Sequence, residues 1–309
     1  MTFADAAGAR RLLFLEAASF KPLAILRIGI GLLLVFQGQM LWSYRDIFLA
    51  QFGLVPWFIG EHVVDPLVPR LAQILSILSP LGATAEGVVA GVLLLHVVAS
   101  VLLVVGYRTR LAAAAAWLTY LPLLYTADLF FYGIGGMLLI GVFYCVVLPV
   151  GTEWSLDARR RGPRPPAELD ASLAVAVLRI QMCIIYLAAG ISKAVGPQWW
   201  SGDAIWRAVS LPRFQQFDPA PILAAPILLQ VAAIGAVLVQ LAYPVLVWTR
   251  FRAIIVLLTE FMHLAIAVFL GLWMFSLAMV VLNMAAFGES IWRFLQRWRA
   301  RPTPAPEAT

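Results

Sequence analysis

The 309-residue chain has little from which a disulfide, redox or metal site is ordinarily built: two cysteines and three histidines. Cys145 and Cys183 lie far apart in apolar runs, so they read as small core residues and not as a disulfide framework or redox pair. His62, His96 and His263 are equally scattered, and no metal site is expected. Charge is scarce too, since 12% of residues are charged against 62% hydrophobic. That balance excludes an ordinary soluble domain. The net charge of +6 does not reverse this, because no basic soluble segment is long enough to bind nucleic acid. Also missing is the alternation over roughly ten residues that marks an outer-membrane barrel strand. The apolar runs have the length of membrane-spanning helices, about 20 residues. The fold class expected is all-α, a polytopic transmembrane bundle in the cytoplasmic membrane. Met1 to Lys21 is polar and mixed, with no cleavable signal in it.

The hydrophobic runs predict eight spans: Leu23 to Trp42, Gly87 to Tyr107, Leu111 to Tyr125, Tyr132 to Val150, Leu173 to Ser192, Ile222 to Trp248, Ala253 to Leu270, and Trp273 to Phe287. With the N-terminus inside, fifteen Lys and Arg residues fall on cytoplasmic segments, Arg159, Arg160, Arg161 and Arg164 among them. Five fall outside: Arg45, Arg70, Lys193, Arg207 and Arg213. Positive loops are retained in the cytoplasm, so both termini are expected there. Residues 1–309 read as one membrane domain. Gly151 to Asp170 reads as a cytoplasmic linker between two halves, and 302–309 as a disordered tail.

Polar residues inside spans are the functional candidates, because a bilayer tolerates them only when protein or water surrounds them. On a helix, Arg179, Tyr186, Gly190 and Lys193 form one stripe, which should face other helices. At Gly190 a neighbouring helix or a flat ligand can approach the backbone. Arg27 and Arg179 are permanently charged, and Asp128, Glu260 and Asp203 are the carboxylates available to pair with them. Glu260 and His263, three residues apart, share a helix face. The glutamines at 37, 39, 181, 230 and 240 are expected to hydrogen-bond between helices. Two outward loops are long enough to contribute to a site. Ser43 to Glu86 holds an apolar run near Leu71 to Leu78 that reads as a helix in the interface or dipping into the bundle. Lys193 to Pro221 interleaves Trp199, Trp200, Trp206, Phe214 and Phe217 with charges, which suits either an aromatic belt or a ligand-facing surface.

The run Tyr186-Leu-Ala-Ala-Gly-Ile-Ser-Lys193, followed by Trp199, Trp200 and Gly202, resembles the membrane domain of vitamin K-dependent γ-glutamyl carboxylases, whose bacterial relatives are the horizontally transferred transmembrane (HTTM) proteins. The stretch ending at Arg27, the run Trp154 to Ala158 and the run Leu270 to Phe275 are weaker parts of the same resemblance. It implies that Lys193 is a base acting on a reduced quinone of the vitamin K or menaquinol type. It further implies a lyase that carboxylates glutamyl side chains of a peptide or secreted protein. Trp199, Trp200, Phe131, Tyr186 and Gly190 would line the ring, as aromatic faces suit a flat ligand.

One departure bears on the chemistry. Where the carboxylases carry a histidine before a Tyr-Gly pair, this chain has Asp128-Leu-Phe-Phe-Tyr-Gly, and an ionised carboxylate accepts hydrogen bonds without donating them. The Ala-Gly-x-x-Lys pattern followed by Trp also resembles lipase maturation factors. Two readings therefore stand: a quinol-dependent enzyme with Lys193 and Asp128 as its reacting groups, and a non-catalytic membrane factor for maturation or export of a peptide or lipoprotein.

Overall fold

The computed structural model describes residues 18–63, 65, 67–126, 133–162 and 168–299. All regular structure among them is helical. In chain order the helices are α1 (Lys21–Ser43), α2 (Arg45–Phe48), α3 (Trp57–Val63), α4 (Leu71–Leu78), α5 (Ala85–Val105), α6 (Thr109–Thr126), α7 (Ile134–Val147) and α8 (Leu156–Arg161). They continue with α9 (Glu168–Ala194), α10 (Pro197–Ser201), α11 (Asp203–Ser210), α12 (Ala220–Leu223), α13 (Pro226–Leu246), α14 (Arg252–Leu270) and α15 (Trp273–Arg299). Each of the eight expected spans contains a helix, although that from Ile222 to Trp248 is broken into α12 and α13 before Pro226. Six of the helices among the described residues, α1, α5, α9, α13, α14 and α15, are long and apolar enough to cross a membrane. The chain is thus a multi-pass helical membrane protein. Helix α7 has 14 residues, about 21 Å at 1.5 Å per residue, against a hydrocarbon core of about 30 Å.

The chain divides into two compact units. The first comprises Ser19–Ala174 and Trp273–Leu282. Within it α1 packs on α5 and α7, and α6 packs between α5 and α7. The outward segment after α1 is folded onto this bundle. Leu49, Trp57 and Leu71 join Leu41, Val88, Val89, Leu93 and Leu123 in one buried cluster.

The expected carboxylate partner for Arg27 is replaced by backbone. Arg27 is fully buried at the end of α5, where it donates to the carbonyls of Leu103 (2.8 Å), Val104, Val150 (3.2 Å) and Trp154 (2.6 Å). The last carbonyls of a helix have no intrahelical donor, so a guanidinium suits them in hydrogen bonds and in dipole. Across the turn, Asp157 accepts from the N–H groups of Arg108 (2.9 Å) and Thr109 (2.7 Å) and from the Thr109 hydroxyl (2.7 Å). Its partial burial opposes ionisation, but these bonds at the start of α6 prevail and hold its carboxyl below the usual range. Gly106 between them has φ +69°, and a methyl there would collide with Ser155 and with the Arg27 guanidinium. Residues 151–162, read as linker, are therefore built into the first unit.

The second unit comprises Val175–Leu272 and residues 283–309, together with 1–18, so far as these are described. Helix α13 packs against α10, α11, α12 and α14. Gln230 of α13 donates to the Trp200 carbonyl at 2.9 Å, which ties the aromatic segment after α9 to a span.

Candidate functional site

The inward stripe of α9 forms as the spacing predicts: Arg179, Tyr186 and Gly190 are buried and Lys193 is half-buried. At its centre, four buried polar side chains from four helices of the second unit form a chain of hydrogen bonds. Tyr243 of α13 donates its hydroxyl to Asn283 Oδ1 at 2.7 Å. Asn283 of α15 donates Nδ2 to the Tyr186 hydroxyl oxygen at 2.7 Å. Tyr186 is 3.0 Å from Nε2 of His263 on α14. The direction of the bond between Tyr186 and His263 depends on the imidazole tautomer. The relay therefore links Tyr243, Asn283, Tyr186 and His263 in one chain. The two tyrosine rings, with centroids 4.1 Å apart, pack against each other beside it.

Lys193 lies two turns beyond Tyr186 on the same face of α9. Its Nζ lies 3.4 Å from the Ala189 carbonyl and 5.1 Å from the centroid of the Trp199 ring. No carboxylate within ion-pairing distance of Lys193 is found among the described residues. Trp199 is placed by α10, which starts at Pro197 immediately after α9 ends. Trp200 has a different task, since its Nε1 donates at 2.8 Å to the Ala194 carbonyl and so caps α9.

The other candidates are sorted by the same geometry. At Gly190 the near neighbour is helix α13, because a methyl at 190 would lie 3.1 Å from the Leu241 backbone nitrogen. A helix, not a flat ring, fills that face. Arg179 is expected to pair with Glu260 or Asp128; it forms no ion pair with Glu260, and Asp128 lies outside the described residues. Arg179 donates to the Ala286 carbonyl at 3.0 Å and lies over the Phe287 ring. Both Glu260 oxygens are sealed from solvent without a hydrogen-bond partner, although Asn283 is a polar neighbour. Glu260 and His263 share a face, but only His263 joins the relay. Asp128 and Phe131 lie outside the described residues. The cysteines are free thiols, as expected. Tyr243 and Asn283 are not distinguished in the sequence reading. The signal was present in Asn283, the single asparagine of the chain, placed in an apolar helix.

A family model described as the HTTM domain matches residues 65–292, which include the later part of the segment between α1 and α5, the Lys193 stripe and the whole relay. The chain belongs to the HTTM family. It is therefore a multi-pass membrane protein of the vitamin K-dependent carboxylase-like family. This HTTM protein is 26% identical over 191 residues to the uncharacterized protein YitO of Bacillus subtilis (strain 168), a match covering 58% of this chain and 60% of YitO. No solved structure matches the HTTM chain.

Proposed function

We propose that this HTTM protein is a quinol-dependent membrane enzyme in which Lys193 serves as the base, acting on a glutamyl side chain of a peptide or secreted protein at the outer face of the cytoplasmic membrane. The observation that carries this reading is the setting of Lys193. Its amine lies over an indole face, on the same face of α9 as the buried relay residue Tyr186, and no carboxylate among the described residues is within ion-pairing distance of it. A surface anchor has no use for four helices' worth of buried polar residues behind it.

The residues fit a reduced quinone in part. Trp199 offers a ring face next to the Lys193 amine, and His263 and Tyr186 add hydrogen-bonding capacity behind it. Helix α13 covers Gly190, whereas Trp200, whose N–H caps α9, keeps an exposed ring. A bound quinol supplies the reducing power toward oxygen that carboxylation requires. Lys193 Nζ would be the group to hold a proton released from a bound quinol hydroxyl. The His263 ring, oriented by Tyr186, fixes the polar edge of the site.

The protein reconstituted in vesicles should consume oxygen on addition of quinol and add one carboxyl group to a glutamate-containing peptide, read by mass spectrometry. Lys193→Arg decides the base role, since arginine keeps the charge and the reach to the interface but does not give up its proton. Loss of turnover in a folded Lys193→Arg protein is expected, and full activity would exclude Lys193 as the base. The second reading, a non-catalytic maturation or export factor, is favoured by one residue. Asp128 stands where the carboxylases carry a histidine, and a carboxylate does not donate. Under that reading a peptide co-purifies with the protein and its mass is unchanged.

A further inference from the structure

A cavity of about 500 Å³ lies in the first unit, in the outward segment between α1 and α5. It is lined by Gln51, Phe52, Trp57, Phe58, Ala72, Leu75, Ser76, Ser79, Ala83 and Ala85. The volume falls within the range of about 300 to 1,000 Å³ typical of small-molecule sites. We propose that this cavity is a binding site for an uncharged amphiphilic lipid, one whose head carries hydroxyl or carbonyl groups and no phosphate.

The level of the cavity follows from what surrounds it. Phe52, Leu67, Ile77 and Leu81 are 80%, 91%, 72% and 83% exposed, and Phe58 on the cavity wall is 58% exposed. An apolar surface of this extent next to the ends of two membrane-crossing helices belongs at the bilayer interface. The segment is nevertheless folded, since its inner face contributes Leu49, Trp57 and Leu71 to the buried cluster. A preformed cavity at that level is open to molecules that partition into the bilayer.

The lining decides the class of occupant. Among the described residues that line it there is no charged side chain, and burying an ionised head without a partner is costly. Arg70 borders a separate void of about 20 Å³, room for about one water molecule, and Trp57 and Ala72 line both spaces. The polar groups at the cavity are neutral and mostly accepting. Ser76 Oγ donates to the Gln73 carbonyl at 2.8 Å and Ser79 Oγ to the Ser76 carbonyl at 3.4 Å, which leaves their lone pairs. Trp57 spends its N–H on the Leu49 carbonyl at 3.0 Å and presents only its ring. The Gln51 amide both donates and accepts. Such a wall suits a hydroxyl or carbonyl head with an apolar tail against Phe52, Trp57 and Phe58.

The full chain, with a benzophenone amino acid at Phe58 or at Ile77, tests this in nanodiscs of phosphatidylcholine and phosphatidylglycerol containing a small fraction of either diacylglycerol or a prenyl quinone. Ile77 is an exposed position beyond the cavity lining and reports the bulk lipid. Irradiation at Phe58 should give adducts of the neutral lipid enriched about tenfold over its share of the bilayer, the ratio that one well-made contact confers. Adducts at Ile77 should follow the bulk composition. Comparison of the two neutral lipids identifies the source of the head group. Ser76→Phe, which fills the cavity from an exposed position, should abolish the enrichment without changing the melting temperature. Bulk composition at Phe58, enrichment of phosphatidylglycerol, equal enrichment at both positions, or enrichment that survives Ser76→Phe would each overturn the proposal. None of these readings depends on Lys193.

Discussion

Tyr186 sits at the middle of the relay, accepting from Asn283 and hydrogen-bonded to His263. Tyr186→Phe keeps the ring and removes both bonds, leaving Asn283 Nδ2 and His263 Nε2 without these partners. Interhelical hydrogen bonds in membranes average about 0.6 kcal/mol and reach about 1.7. An unsatisfied buried group costs about 1 to 3 kcal/mol. The loss expected for Tyr186→Phe is therefore about 1 to 3 kcal/mol, seen as a melting temperature lowered by several degrees in detergent. An unchanged melting temperature would mean that the relay carries no stability. Glu260→Gln is expected to behave oppositely. Its carboxyl breaks no hydrogen bond on leaving, so stability should hold or rise, whereas an Arg179 pair would be missed by about 3 to 5 kcal/mol. At this scale the sequence was half legible. The spacing of Arg179, Tyr186, Gly190 and Lys193 gave the inward face, because a straight helix keeps its register. It could not give the partners. Which residue of α13, α14 or α15 meets Tyr186 depends on helix crossings that no single helix encodes. Nor could the sequence show the backbone carbonyls that accept from Arg27, and from Nε of Arg179, because it does not display them as acceptors.

Helices were the most legible elements, and their ends show why. Long apolar runs mark the spans, and Thr84, whose Oγ1 accepts from Gly87 N–H at 3.1 Å, begins α5 where a capping residue should. Helix α15 runs to Arg299, past the expected end of its span at Phe287. Charged residues from Glu289 onward stop a membrane span but not a helix. The joint between α5 and α6 was not legible as a joint. Its residues come from three separated segments: Arg27, Gly106 to Thr109, and Trp154 to Asp157. It holds Arg108 at φ +42° and Trp154 at φ +51°, conformations that non-glycine residues adopt only when neighbours enforce them. Gly106→Ala is expected to destabilise by more than about 2 kcal/mol, beyond the usual range for an exposed helix end. Retention of the wild-type melting temperature would show that the joint yields freely. Asp157 makes the joint pH-sensitive. Its carboxyl titrates below the ordinary value of about 3.9, so its contribution is full at neutral pH and lost as pH falls through the acid range. Asp157→Asn should therefore melt earlier than wild type at pH 7, with the gap closing below about pH 4. A gap independent of pH would remove the charge from the explanation.

For the molecule as a whole, the orientation of the site follows from where its charges collect. Lys193 ends α9, and α10 and α11 continue directly from it, so Trp199, Asp203 and Arg207 lie on the same side of the membrane as the amine. The fifteen-to-five division of Lys and Arg predicts that this side is outside and Arg159 to Arg161 inside. Asp203 and Arg160 are both exposed, so a reporter at either position reacts wherever the reagent reaches. In a chain with Cys145 and Cys183 replaced, Asp203→Cys in intact cells should react with a membrane-impermeant maleimide. Arg160→Cys should react only after the membrane is opened. The reverse pattern would turn the molecule over. The relay and Lys193 would then face the cytoplasm, and a secreted peptide could be modified only before export. The same pair of labels therefore fixes both the topology and the compartment from which a substrate must come.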